Sequence, residues 1–238
     1  MNTRRLAQSL LLSARAVLAT GLALVCVVAQ PDTLQISGMG GGGFSVPVTS
    51  LKEARFKATT RQRYDFSCGS AAVATLLTHH YNYPVTEENV FEDMFARGDQ
   101  NKIRKEGFSL LDIKAYLGRH QFEADGFELP LARLVESELP ALVLINEKGY
   151  HHFVVIKGVR DGRVLLGDPS SGTRAMSREA FESIWVNKLL FVIHNKQPQA
   201  RFNAAAEWQV APRAPLSAHS GPNSPANLPW AKFGPGDL

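Results

Sequence analysis

The sequence predicts an α+β domain whose core, about residues 58–196, begins with helices and ends with an antiparallel sheet. Three segments of its first half place apolar residues at helical spacing behind capping residues. Its second half contains short runs rich in Val, Ile and Leu, which are typical of strands. Between two of these runs, Asp161-Gly162 is a strong signal for a tight antiparallel hairpin. Together these patterns favour a helical half packed on a sheet.

Each predicted helix begins behind a residue whose side chain accepts hydrogen bonds from the free N–H groups of a first helical turn. Ser67 is in this position before a helix from Cys68 to about His80. Thr86 precedes the second helix and Ser109 the third. The second half is predicted to contain four strands and a helix before the last of them, in this order: Ala141–Ile145, Phe153–Val159, Val164–Gly167, the helix Ser177–Trp185, and Leu189–Ile193.

Residues 1–29 have the pattern of a secretory signal peptide. A basic stretch that ends at Arg15 precedes an apolar run from Ala16 to Ala29, and Val27 and Ala29 supply small residues for a signal peptidase. The apolar run is shorter than the ~20 residues that a transmembrane helix needs. We therefore expect export to the periplasm and cleavage of this segment. The alternative is an uncleaved segment, which would be the route by which the chain associates with a membrane.

The net charge of +4 does not indicate a nucleic-acid partner. Residues 1–29 contain three arginines and no acidic residue, so their removal leaves 23 basic and 22 acidic side chains. No basic stripe with interleaved aromatic residues remains, and nucleic acid is not an expected partner. The sequence also lacks the phosphate-loop pattern G-x-x-x-x-G-K-[ST], so no ATP site is expected. No cofactor and no metal site is predicted.

The segments on either side of the core differ from it in composition. Residues 30–57 contain four consecutive glycines, Gly40–Gly43, and are predicted to form a flexible leader. Residues 197–238 contain seven prolines and no hydrophobic periodicity, which predicts a disordered tail. Trp208, Trp230 and Phe233 are the tail residues that could dock on the core.

Cys68 is the single cysteine that remains once cleavage has removed Cys26, so no intramolecular disulfide is possible. A lone thiol in an oxidising compartment is a liability unless it is buried or used. Its place at a helix start predicts a lowered pKa, because the N–H groups there favour a thiolate. The alternative is a structural cysteine buried in an alanine-rich helix.

A thiol nucleophile needs a base beside it and a group that orients the base. His151 and His152 are the candidate bases, because they open a strand predicted to abut the helix of Cys68. We favour His152, because alternation places it with Val154, whereas His151 shares the face of Lys157, which is expected to be wetter. The alternative is that both are surface histidines at the end of a loop.

Two further polar residues complete the candidate site. Asp168 ends the strand after the Asp161-Gly162 turn, so hairpin pairing brings its carboxylate near the start of the histidine strand. The alternative for Asp168 is an ordinary Asx turn before Pro169. Gln62 lies six residues before Cys68, where its amide could stabilise a developing oxyanion together with the backbone N–H of Cys68.

The chain resembles the double-glycine-leader (bacteriocin-processing) cysteine peptidase family over about Thr60–Ile193. The matching segments are Gln62–Gly69, His152–Val155, Gly167-Asp168-Pro169 with Gly172, and Ser177 through Phe181 to Trp185. The resemblance implies a papain-like fold. It also implies the roles of nucleophile, general base, orienting group and oxyanion donor for Cys68, His152, Asp168 and Gln62, respectively. Ser67 departs from the family pattern, which has Asp before the cysteine.

The usual members of that family are domains of ABC exporters, whereas this chain is more similar to the freestanding peptidases of functional-amyloid (Fap) secretion systems. That likeness implies a periplasmic enzyme that cleaves a protein component of amyloid export, with cleavage after a Gly-Gly pair. Gly40–Gly43 is then a candidate site of self-processing. Two other functions stay open at this point: a non-catalytic module that escorts amyloid subunits through the same cleft, and a papain-like thiol transferase.

Overall fold

The computed structural model describes residues 33–37, 43–47 and 49–212, which fall into two units. In the first unit, strand β1 (Thr33–Ser37) pairs antiparallel with strand β2 (Gly43–Pro47), and Ser37 lies opposite Gly43. The segment predicted as a flexible leader therefore contains a β-hairpin. The predicted signal peptide, residues 1–29, and the last 26 residues, among them Trp230 and Phe233, lie outside the described residues.

Five helices form the first half of the second unit. They are α1 (Leu51–Phe56), α2 (Cys68–Thr75), α3 (Glu87–Arg97), α4 (Gln100–Glu106) and α5 (Leu110–Arg119). A π-helical turn, Leu76–His80, continues α2 to the predicted end at His80. The predicted caps of α3 and α5 are confirmed, because the side chains of Thr86 and Ser109 accept hydrogen bonds from the first turns.

Six strands form one antiparallel sheet in the order β3-β8-β4-β5-β6-β7. The strands are β3 (Ala124–Glu128), β4 (Ala141–Glu147), β5 (Tyr150–Arg160), β6 (Arg163–Asp168), β7 (Gly172–Ser177) and β8 (Leu189–Ile193). Helices α6 (Leu131–Ser137) and α7 (Arg178–Ile184) connect strands, 3₁₀ turns span Val186–Lys188 and Gln197–Gln199, and α8 (Ala205–Trp208) follows. The four predicted strands are present, but strands β3 and β7 and helices α1, α4, α6 and α8 were not predicted; α1 lies in the segment predicted as a flexible leader.

The hairpin between β5 and β6 turns at the predicted residues. Asp161 and Gly162 both have positive φ, 54° and 70°, as a type I′ turn requires. This turn sets the first pairs of the two strands, and a β-bulge at Lys157 then shifts the register so that Val155 lies opposite Gly167. The end of β6 thereby comes next to the beginning of β5.

Each face of the sheet covers its own hydrophobic cluster. Along β5, Phe153 and Val155 face a cluster built with α2, α3 and α5, whereas Val154 and Ile156 face a second cluster built with α6 and α7. Burial of each large apolar side chain contributes about 1.5–3 kcal/mol. This arrangement confirms the predicted α+β class, with an N-terminal helical half packed on an antiparallel sheet. Within the described ranges, no helix is long and apolar enough to cross a bilayer.

The prediction that the face of Lys157 is wetter is wrong. Lys157 is fully buried at a β-bulge in β5. Its Nζ lies 2.7 Å from a carboxylate oxygen of Glu207 and donates to the carbonyl oxygen of Ala58 at 2.6 Å. A buried ammonium group is tolerated only when it is paired and hydrogen-bonded in this way.

The prediction of disorder from residue 197 onward is wrong for its first part, because residues 197–212 pack on the domain. Asn203 donates its backbone N–H to the carbonyl of Lys157 at 2.9 Å and its side-chain amide to that of Val159 at 3.1 Å. Trp208 is buried, and the guanidinium of Arg160 lies 4.8 Å from its ring centre. The bulge in β5 exposes backbone groups that this segment, residues 200–212, satisfies.

Candidate active site

Cys68 lies at the first position of α2, and its side chain faces the sheet. The residue is 6% exposed, and its thiol is within hydrogen-bond reach of the backbone N–H of Phe153. Cys68, His152 and Phe153 line the same cleft, whose volume is about 380 Å³. The thiol is therefore buried but accessible from the cleft.

The pKa of the Cys68 thiol is raised from its ordinary value, and not lowered as its place at a helix start predicts. Burial is the largest cause, because it disfavours the charged thiolate, and the carboxylate of Asp168 adds to it. The backbone N–H groups of Phe153, Gly69 and Cys68 act in the opposite direction but do not outweigh burial. A thiolate at this position therefore depends on a neighbouring cation.

His152 is the histidine that lies beside Asp168. It is 2% exposed, and its Nε2 lies 3.3 Å from Oδ2 of Asp168. Its Nδ1 is buried and has no hydrogen-bond partner among the described residues. His151, the preceding residue, is exposed, and it also lines the cleft. The structure thus leaves Nδ1 of His152 as the nitrogen that is free to exchange a proton inside the site.

The carboxylate of Asp168 is held by several donors. Oδ1 accepts hydrogen bonds from the backbone N–H of Ser170 at 2.9 Å and from its hydroxyl at 2.6 Å. Burial alone would raise the pKa of Asp168, but hydrogen bonds from His152 and Ser170 outweigh it, and the pKa is strongly lowered. Asp168 is therefore ionised at neutral pH. The Asx-turn contact with Ser170, the alternative considered for this residue, is present together with the contact to His152.

The sheet register brings these two residues together. Gly167 pairs with Val155, so Asp168 lies opposite Val154, and His152 is two residues further along the same face. Diagonal neighbours of this kind are within reach of long side chains. The contact therefore follows from the Asp161-Gly162 turn together with the β-bulge at Lys157, which shifts the register by one residue.

Gln62 lies in the loop before α2 and is partly buried. Its backbone N–H donates to the carbonyl of Pro169 at 3.1 Å, which connects it to the residue after Asp168. Its side-chain Nε2 donates to the carbonyl of Tyr64 at 3.1 Å. The amide carries two N–H groups, and the other one is hydrogen-bonded to the hydroxyl of Tyr150, whose pKa burial raises and this bond lowers.

Ser67 shapes the turn before the thiol. Its side chain makes no helix-capping bond, contrary to the sequence prediction. Instead, its hydroxyl accepts the N–H of Tyr64 at 3.1 Å and lies 3.0 Å from the carbonyl of the same residue. These bonds close the turn Tyr64–Ser67, because the Ser67 hydroxyl can donate one hydrogen bond and accept another. Ser67 thus fixes the direction in which α2 begins.

Three residues of the site were missed by the sequence analysis. The ring of Tyr150 stacks on that of His152 with centroids 5.0 Å apart, and its hydroxyl donates to the carbonyl of Asp65 at 3.0 Å. Arg174 and Glu147 lie on the other side of Asp168. The spacing of Tyr150 and His152, two residues apart on one strand face, was a signal for the first contact. The other two residues carried no local signal.

A metal ion has one candidate position in the described part of the chain. Glu147, His152 and Asp168 offer ligand atoms that all lie within 4.8 Å of one another. Arg174 donates to both carboxylates, so its guanidinium occupies the position that a cation would take between them. The residues present therefore fit an arginine-linked cluster better than a metal site.

Comparison with known proteins assigns the chain to a family. The model of the peptidase C39 family matches residues 57–197. The chain belongs to the peptidase C39 family. Its members are cysteine peptidases, and the fold and thiol-containing cleft described above are those of such an enzyme. The resemblance identified from the sequence is thereby confirmed.

Two relatives cover most of the chain. It is 36% identical over 173 residues to a probable functional amyloid protease, FapD, of Pseudomonas aeruginosa. The aligned region covers 72% of this chain and 76% of that protein. It is 37% identical over 176 residues to the protein of the same name from Pseudomonas fluorescens, with 72% and 77% covered. Among solved structures, the peptidase domain of the Streptococcus ABC transporter ComA matches with 22% identity and a TM-score of 0.48, over 57% of this chain and 97% of that one.

Proposed function

We propose that this chain hydrolyses a peptide bond of an exported protein, with Cys68 as the nucleophile and His152 as the general base. The observation that carries the proposal is the state of the His152 ring. Asp168 engages Nε2, which leaves a buried, unpartnered Nδ1 in the cleft that contains the thiol. A surface histidine would have neither feature.

The reaction proceeds in two stages. The thiol proton passes to Nδ1 of His152, and the thiolate of Cys68 attacks the carbonyl carbon while the electron pair of the C=O bond moves to oxygen. The imidazolium then gives its proton to the leaving amine as the C–N bond breaks, and a thioester forms. A water molecule gives a proton to His152 and adds to the thioester, which releases the acid and restores the thiol.

The polar groups around the thiol support each stage. The ionised Asp168 stabilises the imidazolium and fixes the ring orientation. Because burial raises the pKa of Cys68, the thiolate forms only with the imidazolium beside it. The proposed donors to the oxyanion are the backbone N–H of Cys68 and the Gln62 amide, which would exchange its bond to Tyr150 for one to the oxyanion.

The proposed substrate is a protein component of a functional-amyloid system. The support is the 36–37% identity to two probable functional amyloid proteases, over three quarters of their length. A periplasmic location is proposed from the signal-peptide pattern of residues 1–29. Cleavage after a Gly-Gly pair is also proposed. Phe108 supports it, since its side chain packs against Gly69, the residue after the thiol, and lines the cleft.

The experiment is deletion of the gene in its host, with complementation by the wild type or by Cys68→Ala. N-termini of exported proteins and secreted amyloid are then measured. We expect a set of N-termini that follow Gly-Gly pairs in the wild type and are missing with Cys68→Ala, together with reduced secretion. Identical N-termini in both strains would contradict the proposal. Secretion restored by Cys68→Ala would instead favour the escort function.

The same N-terminal profile tests self-processing at Gly40–Gly43. A mature chain that begins after the glycine run in the wild type, but not in Cys68→Ala, would support it. A common N-terminus in both strains would rule it out.

A further inference from the structure

The face of the sheet that carries His152 and Asp168 also carries an arginine and a glutamate to which neither the sequence nor the proposed reaction assigns a role. Arg174 lies on β7 opposite Leu166, and Glu147 is the last residue of β4. The guanidinium of Arg174 extends over the ends of β6 and β5 and contacts carboxylates on both sides. The two residues therefore join the outer strand β7 to β4 across the histidine.

The contacts of Arg174 are short and directional. Its Nε and Nη2 each lie 3.0 Å from Oδ2 of Asp168. Its Nη1 and Nη2 donate to Oε1 and Oε2 of Glu147 at 2.9 and 2.8 Å. Paired N–H groups on one carboxylate fix orientation more strongly than a single charge contact does. The guanidinium is thus held by Glu147 in the position from which it reaches Asp168.

Arg174 competes with His152 for the same oxygen. Oδ2 of Asp168 lies 3.0 Å from Arg174 but 3.3 Å from Nε2 of His152, and Oδ1 is taken by Ser170. The carboxylate is buried, with 2% of its side chain exposed, so its position follows from these partners. Arg174 therefore limits how much of the charge of Asp168 acts on His152.

The charges of His152, Asp168, Glu147 and Arg174 sum to zero when His152 is an imidazolium, which is the form that the proposed reaction needs. With neutral imidazole, Asp168, Glu147 and Arg174 carry two negative charges and one positive charge. With imidazolium, the cluster has no net charge. Loss of Arg174 would leave two carboxylates facing His152 and would over-stabilise the imidazolium, whereas loss of the Glu147 charge would have the opposite effect.

We propose that Arg174 and Glu147 form a positioning pair that orients Asp168 and sets how strongly it stabilises the imidazolium of His152. This role depends on the proposed functions of Cys68 and His152. The titratable and charged groups that face His152 or line its cleft come from six elements: Cys68 of α2, Lys102 and Glu106 of α4, Glu147 of β4, Tyr150 and His151 of β5, Asp168 of β6 and Arg174 of β7.

The test measures the alkylation rate of Cys68 by iodoacetamide against pH in the full chain. Mass spectrometry of the tryptic peptide Tyr64–Arg97 reads Cys68 alone, without interference from Cys26. A thiolate–imidazolium pair gives a profile with two rises, one where the pair forms and one where the imidazolium loses its proton. This readout needs no peptide substrate, so it does not depend on the identity of the natural one.

We expect Arg174→Met to move both rises to higher pH and Glu147→Gln to move both to lower pH, each by about half a pH unit or more. The reason is that the first change removes a positive charge and the second a negative charge from the same cluster. Arg174→Lys keeps the charge and is expected to leave the rises in place, while peptide hydrolysis falls because the forked contact is lost.

Arg178→Met is the matched control, because Arg178 pairs with Glu182 on the surface of α7 and should leave the profile unchanged. Shifts of both variants in the same direction, or none in either, would overturn the positioning role. If Arg174→Met does not fold, Glu147→Gln tests the positioning role alone. A shift of both rises to lower pH would support that role, and no shift would overturn it. A wild-type profile with a single rise near ~8.5 would instead contradict the proposed pairing of Cys68 with His152.

Discussion

The choice between two adjacent histidines is made by a single contact. Asp168 engages His152, whereas His151 is exposed. We therefore expect His152→Ala to lower kcat for peptide hydrolysis by about 10²–10⁴-fold, because the general base is lost. His151→Ala should lower it less than about tenfold. Steady-state kinetics of the two variants checks this, and the opposite order of effects would mean that His151 is the base.

The residues of the site differ in how far the sequence could predict them. Cys68, His152, Asp168 and Gln62 lie in segments with recognisable patterns. The structure places Cys68 and His152 in one cleft, Asp168 beside His152, and the backbone of Gln62 in hydrogen-bond contact with Pro169, the residue after Asp168. The preference for His152 was based partly on a wrong premise, since Lys157 is buried and not wet. Strand alternation cannot reveal that a buried lysine is paired with a carboxylate 50 residues later in the chain, as Lys157 is with Glu207.

Arg174 and Glu147 could not be predicted at all. Each is one charged residue at the end or edge of a strand, and only the strand order β4-β5-β6-β7 shows that they meet. The lowered pKa expected for Cys68 failed for a related reason. A helix start can be located in a sequence, but the depth at which its first residue is buried depends on the sheet that packs against it.

At the scale of elements, the contact of β7 with α1 depends on a glycine. Gly172 has φ +83°, and a Cβ there would lie 2.7–3.0 Å from Arg55 Cβ, carbonyl oxygen and carbonyl carbon. Gly149, with φ +88°, has open space around it and provides a matched control. Gly149→Ala should cost about 1–2 kcal/mol from backbone strain alone.

Gly172→Ala should cost at least about 1 kcal/mol more, because α1 must also move. Urea unfolding of both variants measures the difference in the free energy of unfolding. Equal losses in the free energy of unfolding for the two variants would show that α1 can move away from an alanine at position 172 without a cost in stability.

The segment of residues 200–212 is predicted to be an integral part of the domain. Its Glu207 neutralises Lys157, which is buried without another carboxylate within the described ranges. Glu207→Gln should lower the free energy of unfolding by about 3 kcal/mol or more, because an uncompensated charge is left inside.

Glu182→Gln is the control, since it breaks an ion pair between side chains that are 47% and 37% exposed and should change stability by less than about 1 kcal/mol. Chemical denaturation of both variants gives the comparison. A loss for Glu207→Gln no larger than that of the control would mean that Lys157 is neutral in the folded state.

At the scale of the whole molecule, stability should depend on pH through His80. Burial is the main cause that lowers the pKa of His80 from 6.5 to about 3, and Lys157 contributes. The unfolded chain therefore takes up a proton below about pH 6.5 that the folded chain refuses, so stability falls as the pH falls through this window. The slope from this residue is about 1.4 kcal/mol per pH unit.

His80→Gln should remove that slope between pH 6 and 4, which denaturant unfolding at several pH values would measure. The bond from Nδ1 of His80 to the carbonyl of Arg201, 2.7 Å, joins the helical half to the segment of residues 200–212. An unchanged slope in the variant would show that His80 takes up its proton without unfolding.

Our central proposal is that Cys68 of this α+β domain is the nucleophile of a peptidase. Its most direct test is incubation of the purified chain with a proteome-derived peptide library, followed by mass spectrometry of the products. We predict new C-termini at glycine with the wild type and none with Cys68→Ala. Cleavage that persists in Cys68→Ala, or its absence from a wild-type chain whose Cys68 is reduced and reactive, would contradict the claim.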